Sequence, residues 1–228
     1  MRWRGGWARL GPWRAQPGSS VAQLSIGSEC SPSAQVVDRC LALLRDAGYA
    51  AVVTSAMPPA ETLAFVDAGF TVRERLHLLA HDLRALPRAP RATRRGQRLD
   101  RAPVLTLDGR AFDSSWRLGT SAGFDEALHA TPLARFRVVE EDGRILGYAI
   151  TGLAGAQGYL QRVAVDPDAQ GRGRGRVLVA DSLRWLARRR VSRALVNTQE
   201  RNDTALALYL SCGFRRLPAG LCVLGREL

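Results

Sequence analysis

The sequence predicts an α/β protein in which short strands alternate with amphipathic helices. The residues of 160–165 alternate as in a strand, and a glycine-rich loop and a long helical pattern follow them. Before this segment, two strand-like runs flank Asp142-Gly143, a dipeptide that tolerates the positive φ angles of a tight hairpin turn. The N-terminal half also alternates strand and helix patterns, so the prediction covers the whole chain.

The composition is that of a globular protein surrounded by a positive field. The chain has 228 residues, of which 46% are hydrophobic, enough for one large domain or two small ones. The formal net charge of +12 is carried by arginine, since the sequence contains no lysine, and it attracts anions. The sequence shows no apolar core of a signal peptide and no run of membrane-spanning length. We therefore expect a cytoplasmic protein without a membrane partner.

Cysteines and histidines give no sign of a metal site. No two cysteines of the sequence form a Cys-x-x-Cys motif, so we expect buried thiols in a reducing compartment. They are Cys30, Cys40, Cys212 and Cys222. His77 and His81 lack acidic or thiol neighbours suited to zinc, and we expect them at the surface.

In the N-terminal half, glycines and prolines separate the predicted elements. These are a strand over 21–27, a helix over 33–47, a buried strand over 49–54, a short helix over 60–68 and a strand over 72–83. Before them, Trp3, Trp7 and Trp13 lie among arginines, a mixture that can stack on nucleic acid bases. The favoured interpretation is that these tryptophans cover a sheet.

Residues 84–102 are predicted to be a linker between two domains. They contain many arginines, two prolines and almost no apolar periodicity, a composition typical of a solvated segment. The alternative is that their arginines bind the phosphates of RNA or of a membrane. The predicted domains are therefore 1–83 and 103–228.

The second domain begins with a predicted strand over 103–107 and one or two helices within 114–130. The other predicted elements are strands over 136–141 and 144–151, the strand before the glycine loop, the helix after it, a buried strand over 194–198 and a last helix. Asn202 or Asp203 can cap the last helix, whose inner face carries Tyr209 and which ends at Gly213.

The loop after 160–165 has the features of a phosphate-binding site. Gly171, Gly173 and Gly175 allow a ligand to approach the backbone, and the unpaired amides of the following helix, with its dipole, attract anions. A dinucleotide fingerprint would need a third glycine at Arg176 or Leu178, and a P-loop would need a lysine. The alternative is a glycine-rich turn without a ligand.

Two motifs in the second half resemble those of a known superfamily. The first is Gln-x-x-Gly-x-Gly at 170–175, and the second is Asn-x-x-Ala-x-x-Leu-Tyr-x-x-x-Gly-Phe at 202–214. Together they resemble the GNAT superfamily of acyl-CoA-dependent N-acyltransferases, and the resemblance extends over 103–228. It implies a central mixed, mostly antiparallel sheet flanked by helices.

The resemblance also implies a cofactor and roles for individual residues. It implies acetyl-CoA as the donor, without a metal, and direct attack of a primary amine on the thioester. The backbone of Val163 and Val165 would hold the pantetheine arm, Asn202 would bind farther along the cofactor, and Tyr209 would protonate the leaving thiolate. The residues implied at the pyrophosphate are Gln170, Gly171, Arg172, Gly173, Arg174, Gly175 and Arg176.

The sequence leaves the general base and the acceptor open. Ribosomal-protein alanine acetyltransferases of the superfamily have a glutamate where this chain has Asn197. The other candidates for a base are Glu126, His129, Glu140 and Glu200, or a chain of water molecules. The acceptor, a protein N-terminus or a small amine, would bind around Trp116, Phe124 and Pro132. The alternative function is an RNA- or ribosome-binding protein with a vestigial GNAT domain.

A half-repeat is predicted at the N-terminus. Phe65-x-x-x-Gly69-Phe70 parallels Tyr209-x-x-x-Gly213-Phe214, and a Val-x-Thr strand precedes each at the same spacing. In the first copy the loop 27–32 lacks the glycine triplet and carries Glu29, and Pro58 stands in place of Asn202. Residues 1–83 are therefore expected to form a degenerate GNAT-like unit that binds no cofactor, although two generic α/β units remain the alternative.

Overall fold

The computed structural model describes residues 1–3, 5–13, 18–28, 32–88 and 93–228. These residues form two compact units. Unit 1 comprises Met1–His77, Gln199–Arg201 and Pro218–Leu228, and unit 2 comprises Leu78–Thr198 and Asn202–Leu217. Among the helices of the described ranges, none combines the length and the apolar character needed to cross a bilayer.

Strands and helices alternate along the chain, as predicted. The strands are β1 (Arg2–Trp3), β2 (Gly6–Pro12), β3 (Val21–Ser28), β4 (Ala51–Thr54), β5 (Thr71–His81), β6 (Arg94–Arg95), β7 (Leu133–Glu141), β8 (Arg144–Ala154), β9 (Gln157–Val165), β10 (Arg193–Gln199), β11 (Arg215–Arg216) and β12 (Leu221–Glu227). The α-helices are α1 (Ala34–Asp46), α2 (Leu63–Asp67), α3 (Arg101–Ala111), α4 (Ser121–Leu128), α5 (Arg174–Arg188) and α6 (Asp203–Ser211).

Unit 1 is a mixed sheet with a core built around α1 and α2. Strands β1, β2 and β3 are antiparallel, β4 is parallel to β3, and β12 pairs antiparallel with both β4 and the first part of β5. Trp3 packs against this core and the ring of Trp7 lies over Gly27, so both cover the sheet. The last strand thus belongs to unit 1, whereas the sequence-based boundaries placed it in a domain of residues 103–228.

Unit 2 contains a mixed, mostly antiparallel sheet flanked by helices, which confirms the predicted fold class. Its strands β6, β7, β8 and β9 are antiparallel neighbours, and β10 is parallel to β9. Tyr148 and Ile150 of β8 pack in one cluster with α3, whereas Ala149 packs with Val177 of α5. Since side chains alternate between the faces of a strand, α3 and α5 cover opposite faces of this sheet.

The predicted strand over 103–107 is wrong, because this segment lies within α3. The apolar run Pro103–Leu107 suited a short strand, but its buried residues Val104, Leu107 and Asp108 follow a helical spacing. Pro103 stands in the first helical turn, where a missing backbone N–H costs nothing. Before α3, Gln97 and Asp100 form a reciprocal capping box around a short 3-10 turn.

The prediction of a solvated linker over 84–102 is wrong for residues 93–102. Arg94 forms ion pairs with Asp100, at 2.7 Å, and with Glu140. The Asp100 carboxylate also accepts the Gln97 amide at 2.6 Å. Glu140 lies 46 residues beyond Arg94, so the composition of this segment did not show that the arginine is paired. The residues of 89–92 lie outside the described ranges.

The predicted burial of the cysteine thiols is confirmed for the described cysteines, whereas the predicted surface position of His81 is wrong. Cys40, Cys212 and Cys222 are free and buried, and Cys30 lies outside the described residues. His81 is 2% exposed, accepts the Leu83 amide at 2.8 Å and packs edge-on against Phe214. Burial lowers its pKa, because the charged ring would lose its hydration.

Candidate cofactor site and active site

The loop between β9 and α5 has the backbone conformation that the sequence predicted. Gly171 and Gly173 have φ angles of 73° and 77°, a left-handed region that glycine adopts without strain. A Cβ atom on either residue would meet nothing within 4 Å, so open space lies beside the loop. The first-turn amides of α5 have no partner within a helix and carry the positive end of its dipole. The loop can therefore receive an anion.

Gly175 has a packing role that the sequence did not show. It lies in the first turn of α5, and a Cβ atom there would stand 2.9 Å from Cδ2 of Leu208 in α6. The missing side chain lets α6 lie close to the start of α5. Of the three alternate glycines, Gly171 and Gly173 thus provide the turn and Gly175 provides the helix contact.

The polar side chains of the loop differ in what they contact. Arg174 is 4% exposed and donates to the Ala169 carbonyl at 2.8 Å and to Glu141 at 2.5 Å. Its guanidinium therefore ties the loop to β7. Gln170 donates to the Val165 carbonyl at 3.3 Å, and Arg176 donates to the Ser211 carbonyl at 2.9 Å. Arg172 is exposed at the tip of the loop.

A buried aspartate fixes the start of the loop. Asp166 accepts the Asp168 amide at 3.0 Å and an Arg110 guanidinium nitrogen at 2.8 Å, and its own amide donates to Leu146 at 2.9 Å. Arg110 lies on α3, which the sequence prediction had placed in a strand and a loop. This connection holds the loop against α3 and β8 before any ligand binds.

Strand β9 has an edge that is paired over only part of its length. Its ladder with β10 joins Gln157–Tyr159 to Arg193–Leu195, and no further pair of the two strands follows within the described chain. On the edge that leads to the glycine loop, Val163 therefore has no backbone partner in β10, whereas the Val165 carbonyl accepts Gln170 Nε2. An extended ligand can use such groups in the way an added strand does.

Helix α6 brings Tyr209 to this edge. Tyr209 is 6% exposed and belongs to one cluster with Leu160 of β9 and Val179 of α5, against which Val163 also packs. Burial, and to a lesser degree the neighbouring Cys212, raises the pKa of Tyr209 above its ordinary value of 10.0. The hydroxyl group therefore keeps its proton at neutral pH, as a proton donor must.

Asn202 is the N-cap of α6. Its side-chain oxygen accepts the Ala205 amide at 2.9 Å, as the sequence predicted for Asn202 or Asp203. Replacing Asn202 with alanine leaves that amide without its partner, so we expect the free energy of unfolding to fall by about 1 kcal/mol. Urea titration would measure the loss. Asn202→Asp, which can still cap the helix, is the matched control and should retain most of the stability; an equal loss in both variants would contradict the capping role.

A buried polar network that the sequence analysis missed lies on the α3 face of the sheet. The Asp108 carboxylate is fully buried and accepts Tyr148 Oη at 2.5 Å and Arg162 Nε at 2.7 Å. Because the carboxylate and the guanidinium pair with each other, neither charge is buried alone. Asp108 lies on α3, so only a correct assignment of that helix would have shown it facing β9.

The same network holds the segment that follows α3. Arg162 Nη2 donates to the Trp116 carbonyl at 2.6 Å, and Asp108 accepts the Leu118 amide at 2.7 Å. The Arg162 guanidinium also lies 3.8 Å from the centroid of the Phe112 ring. Residues 112–118 are therefore attached to β9 on the α3 face of the sheet.

Gln161 is an extra residue in β9, that is, a β-bulge. Ile150 pairs with Arg162 and the next residue of β8, Thr151, pairs with Leu160, so Gln161 has no opposite residue. Both polar atoms of its side chain are buried and make no hydrogen bond to the described residues. A Cβ atom at Gly152 would collide with this side chain, so the glycine makes room for it. A bulge leaves no mark on the alternation of side chains along a strand, so the sequence did not predict this one.

Two predictions about the acceptor side need correction. Phe124, expected to line the acceptor pocket, is fully buried in the core, where its ring packs 5.0 Å from that of Phe136. Glu140, a candidate base, forms an ion pair with Arg94. Pro132 is exposed and Trp116 is half-buried. Phe124 is thus a core residue in this structure.

The other candidate bases lie in different surroundings. Glu126 is half-buried on α4. His129 is exposed, and its Nδ1 atom lies 2.8 Å from the carbonyl oxygen of Asp125. Glu200 belongs to unit 1, and Asn197 is exposed on β10. These side chains lie on separate elements, so the structure gives no pair that would share a proton.

The two Gly-Phe motifs have the same local geometry. The Phe70 amide donates to the Phe65 carbonyl at 3.0 Å, and the Phe214 amide donates to the Tyr209 carbonyl at 3.1 Å. The rings in each motif pack edge-on, with centroids 5.4 Å apart in the first and 5.7 Å in the second. Each motif also follows a parallel strand pair joined by a helix, β3-α1-β4 or β9-α5-β10. Glu29, expected to oppose phosphate in the first copy, lies outside the described residues.

Comparisons of sequence find relatives for the second half of the chain. The profile of the acetyltransferase (GNAT) family matches residues 102–214. Mycothiol acetyltransferase of Thermomonospora curvata is 34% identical over 123 residues, which are 51% of this chain and 41% of that protein. Mycothiol acetyltransferase of Amycolatopsis mediterranei is 33% identical over 132 residues, 51% of this chain and 43% of that protein. The matches therefore span less than half the length of these relatives.

Solved structures share the fold of nearly the whole chain. A tandem GNAT protein from the clavulanic acid biosynthesis pathway has a TM-score of 0.70 and 15% identity, covering 98% of this chain and 79% of its own. A GCN5-related N-acetyltransferase from Sphaerobacter thermophilus has a TM-score of 0.66 and 16% identity, covering 98% and 76%. At these identities the likeness concerns the fold.

Proposed function

Residues 102–214 form a domain of the acetyltransferase (GNAT) family, and on this premise we propose that the protein transfers an acetyl group from acetyl-CoA to a primary amine. One observation carries the proposal. The anion-receiving turn at Gly171 and Gly173 adjoins the unpaired edge of β9, and the buried Tyr209 packs beside the same edge. A long cofactor with phosphates at one end and a reactive thioester at the other suits this arrangement.

In this proposal each part of the site has a separate task. The first-turn amides of α5 bind the pyrophosphate, and Arg174 holds the loop in shape from behind, through Ala169 and Glu141. The backbone of β9 around Val163 and Val165 aligns the pantetheine arm. Since Asn202 uses its amide oxygen as a helix cap, a contact with the cofactor would come from its amide nitrogen. Holding two reactants in line contributes about 7–11 kcal/mol to lowering a barrier of this kind.

Proton transfer falls to Tyr209. When the amine attacks the thioester carbonyl, the carbon–sulfur bond breaks and negative charge develops on the sulfur. A neutral phenol beside the sulfur supplies a proton as that charge develops, which is general acid catalysis. The raised pKa of Tyr209 keeps the phenol neutral at the pH of the reaction.

For the acceptor we propose a small-molecule amine. The proteins that match the second half of this chain are named mycothiol acetyltransferases, a name that denotes a small-molecule acceptor.

The experiment is an assay of thiol release from acetyl-CoA with a panel of amines. The panel contains amino sugars, cysteine-containing amines, polyamines and peptides with free N-termini. We expect release that depends on a small amine and that stops when its amino group is blocked. Binding of acetyl-CoA without release with any amine would contradict the enzymatic function, and release with peptides alone would contradict the small acceptor.

We further propose that the N-terminal residues 1–83 bind no acyl-CoA. Phe65 lacks the hydroxyl group of Tyr209, and Pro58, in place of Asn202, caps no helix with its side chain. The retained Gly69-Phe70 geometry indicates that the packing of this half was kept without the groups needed for chemistry.

The stoichiometry of cofactor binding tests this assignment. Calorimetry of the whole chain with coenzyme A should give one site, and the variant Gly173→Glu should retain none. Binding that remains when Gly173→Glu is combined with Arg98→Gln/Arg189→Gln, which removes exposed cations of unit 2, would show that the N-terminal half still binds cofactor.

A further inference from the structure

An arginine-lined cleft lies on unit 2, apart from the glycine loop. It has a volume of about 600 Å³ and is bounded by the segment 95–98, α3, α4, β7 and the end of α5. Fourteen residues line it, none of them acidic, and six are arginines. These are Arg95, Arg98, Arg101, Arg135, Arg137 and Arg189. Arginine makes up 33 of the 228 residues of the chain, so its share in the cleft is well above the average.

One wall of the cleft is fixed before any ligand binds. Arg94 and Arg95 pair with β7, and the Gly96 amide donates to the Phe136 carbonyl at 3.0 Å. A Cβ atom at Gly96 would overlap the Phe136 ring, so this glycine allows the segment to lie directly against β7. The capping box of Gln97 and Asp100 holds the next turn. The segment that looked like a flexible linker is thus a rigid support for Arg95 and Arg98.

The positive charges of the cleft are only partly compensated. Arg101 pairs with Asp125 at 2.8 Å, and Asp181 pairs with Arg135 at 3.0 Å and with Arg137 at 3.7 Å. Arg95, Arg98 and Arg189 are exposed, and none of the three has an acidic partner in the described part of the chain. Three guanidinium groups are therefore available to a ligand.

Three of the arginine side chains lie close to one another around Trp185 and β7. Trp185 lies under the guanidinium groups of Arg135, at 6.0 Å, and of Arg189, at 5.2 Å from the ring centroid. Arg137 is half-buried beside Arg135, and its pKa is lowered first by burial and then by that neighbouring charge. A bound anion would relieve this repulsion, so the cleft gains more from an anion than scattered surface arginines would.

We propose that this cleft binds a small molecule that carries two or more phosphate groups. Guanidinium groups match the geometry of phosphate oxygens with two parallel hydrogen bonds, and several arginines around one cavity suit a multiply charged group. The volume lies in the range of small-ligand pockets. No residue of 166–176 lines the cleft, so the site is separate from the one proposed for acetyl-CoA.

The test is calorimetry with sodium tripolyphosphate on the full-length variant Gly173→Glu, whose glycine loop is closed to anions; coenzyme A is left out because it carries phosphate groups itself. We expect one site. The double variant Arg98→Gln/Arg189→Gln should bind about 10- to 100-fold more weakly, since hydrogen bonds between charged groups are lost. The variant Arg193→Gln/Arg216→Gln removes the same charge from exposed positions of unit 2 and should bind like the wild type. The wild-type protein should bind tripolyphosphate at the cleft with the same affinity as Gly173→Glu, so the result does not depend on whether the glycine loop binds acetyl-CoA.

Three results would overturn the assignment. Equal weakening in both double variants would mean that net charge alone attracts the phosphate. Equal affinity for citrate at the same ionic strength would mean that the cleft does not select phosphate. Tighter binding of a short single-stranded RNA than of tripolyphosphate, lost in Arg98→Gln/Arg189→Gln, would identify the cleft as part of a nucleic-acid surface.

Discussion

Replacing Gly173 with glutamate is expected to abolish the binding of acetyl-CoA while the protein stays folded. The substitution places a carboxylate at the N-cap of α5, beside the amides proposed to hold the pyrophosphate. Like charges repel there, and the side chain enters the open space beside the loop. Calorimetry with acetyl-CoA measures the loss, and circular dichroism checks the fold.

The matched control for this variant is Gly173→Ala. Gly173 has a φ of 77°, so any side chain at this position costs roughly 1–2 kcal/mol of backbone strain. Alanine introduces that strain without the charge and with little bulk, so it should retain measurable binding. Wild-type affinity in Gly173→Glu would show that the loop is not the anion site, and equal losses in both variants would assign the effect to strain.

Replacing Tyr209 with phenylalanine is expected to lower kcat by about 10²- to 10⁴-fold, the usual contribution of a general acid. The affinity for acetyl-CoA should remain nearly unchanged, because the ring keeps its packing against Leu160 and Val179. The experiment combines thiol release, with whichever amine the panel identifies, and calorimetry. Tyr49→Phe in unit 1 is the matched control and should have wild-type activity. Thiol release at the wild-type rate in Tyr209→Phe would contradict the role.

The pH dependence provides a second test of Tyr209. Its pKa in the folded protein is raised above 10.0, so the protonated form, which is the donor, persists as the pH rises. The wild-type kcat should therefore show no loss assignable to this tyrosine between neutral pH and about 10. A fall in kcat over that range that disappears in Tyr209→Phe would show that the phenol ionises earlier than its burial implies.

Several features of this protein follow from the sequence alone, because local interactions decide them. The hairpin at Asp142-Gly143 forms as expected, with positive φ angles at both residues. The turn at Gly171 and Gly173 and the cap at Asn202 also depend on neighbours a few residues away. Such features leave a pattern in the sequence that can be read without the fold.

Other features were decided only by tertiary structure, because their partners lie far apart in the sequence. The buried side chain of Arg174 pairs with Glu141, which lies 33 residues earlier in the chain. Residues 103–107 have the composition of a strand, yet they lie in a helix whose buried Asp108 pairs with Arg162 of β9, 54 residues later.

The arginines of 94–101 also have surroundings that the sequence alone did not predict. Their composition is that of a solvated linker, and no local pattern reveals that Arg94 meets Asp100 and Glu140. The cleft forms only when this segment pairs with β7 and the end of α5 comes beside it. Charge composition is a property of the sequence, whereas the convergence of charges on one cavity requires contacts between distant residues, which only the folded chain makes.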